Sequence, residues 1–433
     1  MKRSCPLAMK LEQASPSSMF ATITVHQSFI ESLYQEALRL QKTDVKIQGF
    51  SRGAAPADYL EKILRSPLLE HVGEFVYASC VSAFLAEELM KQKVVVLGEP
   101  KLANIALEPK QGASFTFQVS TIQPKIHQNW KEFLFRAPSR KGYRDLDKQV
   151  EAFVTEEEKR TTAQPQEAVI KVGDWVCFSL QPLGNEQICL LGEHKNILWL
   201  KITDDETDEE SCALFVGKKT GDSFTSNACI FQSHVHNTFD SAYTFLLTII
   251  DHVDQSIFSL DAFTSYFKLK SMKDIHLKLI EVFSYRNDIS QRRETIETAL
   301  KTMLKHHHFM VPYEHVHQKK EMLLNTMRVT PDYYVYKSHP NFQEKVHQLA
   351  EKQLKETVLI DAFAFHESIV LTTDDIRGYF NLLKRSRTRD FVYFTLPVSR
   401  LHGQELPLPH ELVYQQCLRE KALNHLINKL AKR

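Results

Sequence analysis

The sequence predicts a multidomain α+β protein: an α+β N-terminal domain, a β-rich middle domain and an all-α C-terminal domain. Three observations predict it. Apolar residues fall at helical spacing over His26–Leu40 and again over Leu68–Leu85, with alternating stretches before and after. Between Ala168 and Asp254 the period becomes two. From Gln255 onward the helical period returns and glycine becomes scarce. The expected boundaries are 1–128, a linker with one helix at 129–167, 168–254 and 255–433. A length of 433 residues fits two to four domains at about 100–200 residues each.

Met1 to Ser18 shows no clear period and is expected to fray. Phe20–Val25 alternates as a strand. His26–Leu40 carries Phe29, Ile30, Leu33, Tyr34, Ala37 and Leu38 on one helical face. A loop follows, Val45 to Tyr59, with turn chemistry at Gly49 and Gly53 and with Pro56 suited to the first turn of the next helix. Ala57–Arg65 is one helix. Ser66-Pro67 reads as the N-cap and first position of another, ending near Lys93. Ser114–Ile122 alternates as a half-buried strand.

Trp130–Arg136 reads as extended linker, and Asp145–Arg160 as a charged helix with one stripe of Leu146, Val150 and Phe153. Its run Glu156–Arg160 is expected to be a solvated helix end. Strands are expected at Val169–Leu180, Ile188–Leu191, Ile197–Ile202, Ser223–Phe231 and Tyr243–Ile250. Helices then follow from Ser271 to about Lys305, from Tyr313 to Met327, from Asn341 to about Phe365, from Thr372 to about Arg385, and from Pro409 to about Ala431.

The formal net charge is +1, which argues against a protein coated by nucleic acid but allows one local basic contact. No DNA partner is implied. No apolar run approaches the length of about 20 residues that spans a bilayer, so no membrane partner is expected, and the N-terminus lacks the apolar core of a secretory signal. The seven cysteines include Cys177, Cys189, Cys212 and Cys229 in one region without CxxC spacing; reduced, buried thiols in a cytoplasmic protein are expected. His306, His307 and His308 are consecutive on a helix and point in different directions, so no metal site is assigned, and solvated histidines at a helix end are expected. The basic run Lys384–Arg389 reads as a charge cluster at a helix end. No phosphate-binding glycine loop is present and no cofactor is implied.

Phe50, Ser51 and Arg52 sit between the two glycines of the early loop. Two readings stay open: Phe50 folds back on its flanking helices, or it is a docking tip that presents an apolar wedge beside a cation. Gly49-Phe50-Ser51-Arg52-Gly53, with Pro56 soon after, resembles the ribosome-docking signature of trigger factor, the bacterial chaperone at the exit of the ribosomal tunnel. The family pattern has Gly-Phe-Arg, a basic residue, Gly and Lys; Ser51 and Ala54 stand where two of its three positive charges would be. The order of elements along most of the chain resembles the same family. The resemblance implies a ribosome-binding N-terminal domain with Gly49, Phe50, Ser51, Arg52 and Gly53 as the docking residues.

The 168–254 segment resembles the FKBP-type peptidyl-prolyl isomerase domain that trigger factor carries in its middle. Val172-Gly173-Asp174 and Val216 to Asp222 match framework turns of that fold. The acidic run Asp204 to Glu210 replaces an apolar pocket segment of that family, and burying unpaired carboxylates is costly. Leu180 stands at a pocket Phe position. Leu180, Phe239 and Tyr243 are the residues left for a prolyl pocket, which reads as degenerate; the segment is expected to fold alone and to isomerise poorly. The C-terminal helices resemble the family's chaperone arms. Met322, Met327, Phe363, Phe365, Phe380, Phe391 and Phe394 are the candidate client-binding residues, on the ground that flexible or broad apolar side chains suit promiscuous surfaces. At least half of the aromatics and methionines there are expected to be core.

The function implied is an ATP-independent chaperone that docks on the ribosome and shields nascent or unfolded polypeptides. Two alternatives stay open: prolyl isomerisation as the main activity, and an off-ribosome escort for a dedicated partner. A weak homodimer is also left open.

Overall fold

The structure is a computed structural model that describes residues 7–44, 49–51, 53–138, 142–163, 169–184, 187, 189–192, 194–204, 209–234, 243–398, 400–401 and 404–431. The chain begins with β1 (Leu7–Ser15) and β2 (Ser18–Val25), followed by α1 (Gln27–Asp44) and α2 (Ala57–Val76). A π-helical turn, Tyr77–Val81, leads into α3 (Ser82–Lys91), then β3 (Lys101–Glu108) and β4 (Gly112–Ser120). The four strands form one antiparallel sheet in the order β1-β2-β4-β3. Ala21, Ile23 and Val25 of β2 and Phe115, Phe117 and Val119 of β4 point inward, onto Ile30, Leu33 and Tyr34 of α1 and Val72, Phe75 and Val76 of α2.

Two expectations fail in this part. Residues 7–18 do not fray, and residues 1–6 lie outside the described residues: Leu7, Met9 and Leu11 alternate with Ala8, Lys10 and Glu12, and β1 forms a hairpin with β2 in register Leu7↔Val25 to Ser15↔Ser18. Pro67 does not start a new helix; it lies inside α2. A proline in a helix interior forfeits one backbone hydrogen bond, but Leu60, Leu68 and Val72 keep one continuous buried face across it. The helical run Asp58–Lys91 is long and apolar enough, by length and composition, to cross a membrane, which the sequence reading did not anticipate. More than half of its most apolar stretch is buried inside the protein.

The middle region contains β5 (Trp175–Leu183), β6 (Asn196–Lys201), α5 (Glu209–Phe215), β7 (Ser223–Ser226), α6 (Cys229–His234) and β8 (Thr244–Val253). The rest is helical: α4 (Leu146–Ala163) before this region, then α7 (Leu260–Phe267), α8 (Met272–Asn287), α9 (Ile289–His306), α10 (Tyr313–Arg328), α11 (Tyr333–Lys337), α12 (Phe342–His366), α13 (Thr373–Leu383) and α14 (Ser386–Arg389). The hairpin β9 (Arg400–Leu401) and β10 (Gln404–Glu405), the short strand β11 (Leu408–Pro409) and α15 (His410–Leu430) complete the described chain. The helix expected from Ser271 to Lys305 is two helices. Asp288, in an extended conformation, ends α8, and its carboxylate accepts from the Gln291 amide to cap α9.

The middle sheet runs β11-β6-β5-β8-β7, so its edge is completed by a strand from near the C-terminus. One face carries Val176, Phe178, Leu180, Leu198, Leu200, Phe245 and Leu247 into the core shared with the N-terminal sheet. The other carries Cys177, Trp199 and Val253 into the core of the helices. There Phe380 of α13 meets Trp175 at 5.0 Å and Trp199 at 4.6 Å between ring centres. A sheet covered on both faces reads as nearly continuous apolar sequence, and β5 is buried from Val176 to Leu183. The expectation that 168–254 folds alone therefore loses its footing, since both faces of β5 and β6 and the β11 edge are closed by other parts of the chain, while β7 and one side of β8 reach solvent.

The supposed linker is anchored in the core by its first residue, although most of Trp130–Arg136 is exposed. Trp130 is fully buried, its ring 4.8 Å from Phe363 and its indole N–H donating to Glu367 at 2.9 Å. The run Glu156–Arg160 is not simply solvated. Glu157 takes two hydrogen bonds from the Arg385 guanidinium, at 2.7 and 2.8 Å, and accepts the Phe258 amide at 2.8 Å. Burial raises its carboxyl, but Arg385 and the amide outweigh this, and the net shift is downward. Lys384 donates to the Ile257 carbonyl, and burial lowers its ammonium to about 8. Of the three consecutive histidines, His306 and His308 are exposed as expected, but His307 is buried and accepts the His127 amide at 3.0 Å. On α15, Arg419 pairs bidentately with Asp361, Lys421 with Asp375, and the fully buried Glu420 with Asn424 and the amides of Tyr393 and Phe394.

Where the two sheets' cores meet, Tyr243 packs on α2. Its hydroxyl lies 2.8 Å from His71 Nε2, its ring stacks on the imidazole at 5.7 Å, and Phe75 lies 4.6 Å away. Burial pushes His71 down to about 4 and Tyr243 up.

Two outcomes are expected. His71 is neutral when folded and titrates near 6.5 when unfolded, so the unfolded chain binds more protons between these values. Stability is then intact above pH 6.5 and falls by about 3 kcal/mol as pH drops to 4. Denaturation curves across that range should lose this component in His71→Gln. Separately, Glu157→Gln leaves the half-buried Arg385 guanidinium without its counter-charge and should cost about 3 kcal/mol, the low end for a buried pair. The double variant Glu157→Met, Arg385→Met should recover part of that loss in the same denaturation experiment.

Candidate functional site

Among the described residues, exposed large apolar side chains are most frequent along a helical arm. Pro312 opens α10, whose Leu324 packs on Phe342 and Val346 of α12 in a small satellite core with Leu323, Met327 and Tyr333. Pro331 and Pro340 bracket α11, and Asn341 turns the chain in a left-handed conformation, φ 65°, into α12. Asparagine tolerates that conformation better than most residues.

Helix α12 is the lever. It has 25 residues, about 37 Å at 1.5 Å per residue. Its second half is locked in the main core by Val358, Leu359, Ile360, Phe363 and Ala364. Its first half carries the satellite core outward. The arm is therefore stiff at its root, and its small tip core fixes α10 against it. At the root, Val358 and Ala362 also pack on Val95 and Leu97 of the N-terminal part.

The exposed apolar side chains concentrate on this arm. Tyr313 is 71% exposed, Met322 57%, Val329 84%, Tyr334 78% and Val335 62%. No residue of α11 is buried. Scattered exposed apolar residues are ordinary, whereas a concentration on one projecting element marks an interaction surface. Apart from the phenol hydroxyls of Tyr313 and Tyr334, these side chains offer only hydrocarbon and thioether surface. What the surface can do is bury another chain's apolar groups.

The sequence-derived candidates divide sharply. Met322 is on the arm's surface, and Met327 is half-buried in its satellite core. Phe363, Phe380 and Phe391 are corrected: they are at most 2% exposed and belong to the main core. Their ring contacts are with Trp130, Trp175 and Trp199, and with Tyr285 and Phe267. Phe365 and Phe394 are half-buried against that core. Tyr313, Val329 and Val335 were missed as surface residues. The available signal was Tyr333-Tyr334-Val335-Tyr336 between two prolines, too short and too uniformly apolar to have a helical polar face.

In the early loop, Gly49 has φ 94° and Gly53 φ 78°, conformations in which a side chain would be strained. The Ala54 amide closes a turn on the Ser51 carbonyl at 3.0 Å. Phe50 lies 5.3 Å from the Tyr59 ring on α2 and is half-buried, so it leans on the following helix with part of its ring still exposed. Ser51 is exposed. Arg52 lies outside the described residues, as do Phe239 and residues 205–208 of the acidic run. Leu180 and Tyr243 are each 2% exposed. Leu180 is walled in by the shared core and Tyr243 by α2, so these two line no open prolyl pocket. Among the described residues, no group of three or more histidine, cysteine or acidic side chains could hold a metal ion.

Comparison with known proteins finds one recurring likeness. Residues 7–165 match the family model described as bacterial trigger factor protein. Over 387 residues, 84% of this chain and 86% of the relative, the sequence is 22% identical to trigger factor of Desulforamulus reducens. A solved structure of the trigger factor chaperone, in a study of promiscuous substrate recognition, aligns with 98% of this chain and all of its own at 15% identity and a TM-score of 0.38. The chain is thus similar to trigger factor, by family model over residues 7–165 and by distant sequence likeness over most of its length.

Proposed function

We propose that the protein is a cytoplasmic, ATP-independent chaperone that docks beside the ribosomal tunnel exit and shields apolar segments of new chains during folding and export. The observation that carries this reading is the projecting arm of α10, α11 and α12, with Tyr313, Met322, Val329, Tyr334 and Val335 exposed on a stiff lever. A client segment that partly covers such side chains gains about 0.5 kcal/mol apiece, a fraction of the ~1.5–3 kcal/mol that full burial of each would give. Broad and flexible side chains allow many sequences to do so. Nucleotide-driven release is not required, since contacts of this strength dissociate unaided. Prolyl isomerisation ranks lower, because Leu180 and Tyr243 are enclosed.

Docking is assigned to the Gly49–Gly53 loop. The two glycines hold it in its turn, and Phe50 sits at its edge on Tyr59. With Ser51 and Ala54 replacing two basic residues of the family signature, docking is mainly apolar and weakly salt-dependent.

Two experiments test the halves separately. Met322→Ser, Tyr334→Ser and Val335→Ser together remove exposed apolar area and should leave the melting temperature within error. About tenfold more protein should then be needed to suppress aggregation of an unfolded client, for a loss of about 1.4 kcal/mol. Unchanged suppression by the triple variant would remove the arm from the mechanism. Phe50→Ala with Arg52→Ala should abolish ribosome co-sedimentation. The wild-type chain should show a log–log salt slope of only about one, the value for one released counterion. Co-sedimentation undiminished in the double variant would remove the loop.

A further inference from the structure

The outer edge of β6 is covered by the chain itself, and the covering segment has an unusual composition. Gln404 to His410 reads Gln-Glu-Leu-Pro-Leu-Pro-His. It crosses the middle region in an extended path. Gln404 donates to Ser211 Oγ of α5 at 3.2 Å, and Leu406 packs on the core shared with the N-terminal sheet. Pro407 and Leu408 are buried. Leu408 stands opposite Trp199 and Pro409 opposite Leu198 in an antiparallel pair, and the Trp199 indole donates to His410 Nδ1 at 3.1 Å.

We propose that the β6 edge is a peptide-binding edge held shut by this strap, and that its partner in trans is an extended peptide with leucine and proline at alternate positions. The resident segment defines that chemistry. Its leucines enter two different cores, Leu406 on one side and Leu408 on the other. Its prolines fix φ near the extended value and so lower the entropy lost on binding. They also lack backbone N–H groups, so the strap cannot make a full ladder with β6. Only two residues pair. A short ladder supported by two leucine contacts is strong enough to close the edge within one chain, where the local concentration is about millimolar. It is also weak enough for a better-matched peptide to replace it. This goes beyond the chaperone reading of the arm, because the edge is a separate surface and stands or falls without Met322 or Tyr334.

The test uses the full chain and a fluorescent peptide with the sequence Gln404 to His410. If the strap closes the edge nine-tenths of the time, opening it raises apparent affinity about tenfold. Leu408→Asp, which places a charge in the buried contact, and Leu406→Asp, which charges the half-buried one, should each tighten peptide binding about tenfold over wild type. A photoreactive version of the peptide at millimolar concentration should crosslink wild-type chain within Asn196–Lys201. The proposal is overturned if either variant keeps the wild-type near-UV spectrum yet binds the peptide no more tightly. It is overturned equally if the wild-type crosslinks fall only outside β6.

Discussion

At β5 and β6 the middle sheet has no solvent face of its own; β7 and one side of β8 reach water. Its central strand β5 is buried from Val176 onward because Phe178 and Leu180 point into one core while Cys177 and the neighbouring Trp199 point into another. Much else follows from that constraint. The N-terminal helix α2 must come close enough for His71 and Phe75 to cover Tyr243. Helix α13 must place Phe380 between two tryptophans. The chain must return from near its C-terminus to supply β11 along the free edge. Parts that read as separate domains along the sequence thus share their cores in space. The buried ion pairs serve the same arrangement: Glu157 of α4 reaches Arg385 beyond α13, and the Arg385 guanidinium also ties down the carbonyls of Gln255 and Ser256.

Much of this was legible in the sequence where a single period ruled. The stripe on α1, the alternation of β4, the capping box at Thr372 and Asp375, and the helical repeats after Gln255 all appear where the spacing puts them. The failures share one cause, which is that pattern reports a local face and not what covers it. Trp130 lies in a stretch with no period, so nothing local showed that it fills the helical core. Glu157 sits in a charge run that is ordinary on a solvated helix; only the distant Arg385 makes it a buried anchor. Pro67 is a valid helix start by local rules, and continuity of the core across it decided otherwise.

The site was half legible for the same reason. Aromatic and methionine content marked the C-terminal helices as the place for apolar recognition. It could not separate Phe363 and Phe380, which hold the lever down, from Tyr334 and Met322, which lie at its free end. Anchored root and exposed tip are two uses of the same residue types. The division depends on α12 running from the main core out into a small core of its own. That geometry also explains how an exposed surface can be apolar without collapsing: Leu324, Phe342 and Val346 hold the hairpin together and leave other apolar side chains of the arm exposed.

Site-specific photocrosslinking tests the central claim most directly. A photoreactive phenylalanine analogue would replace Tyr334 at the arm tip and, separately, Phe20 on the N-terminal sheet, which is also exposed. Each chain would be mixed with an unfolded client and illuminated. The account predicts strong client crosslinks from position 334 and few from position 20. Equal crosslinking from the two positions, or none from 334 while the protein still suppresses aggregation, would contradict it.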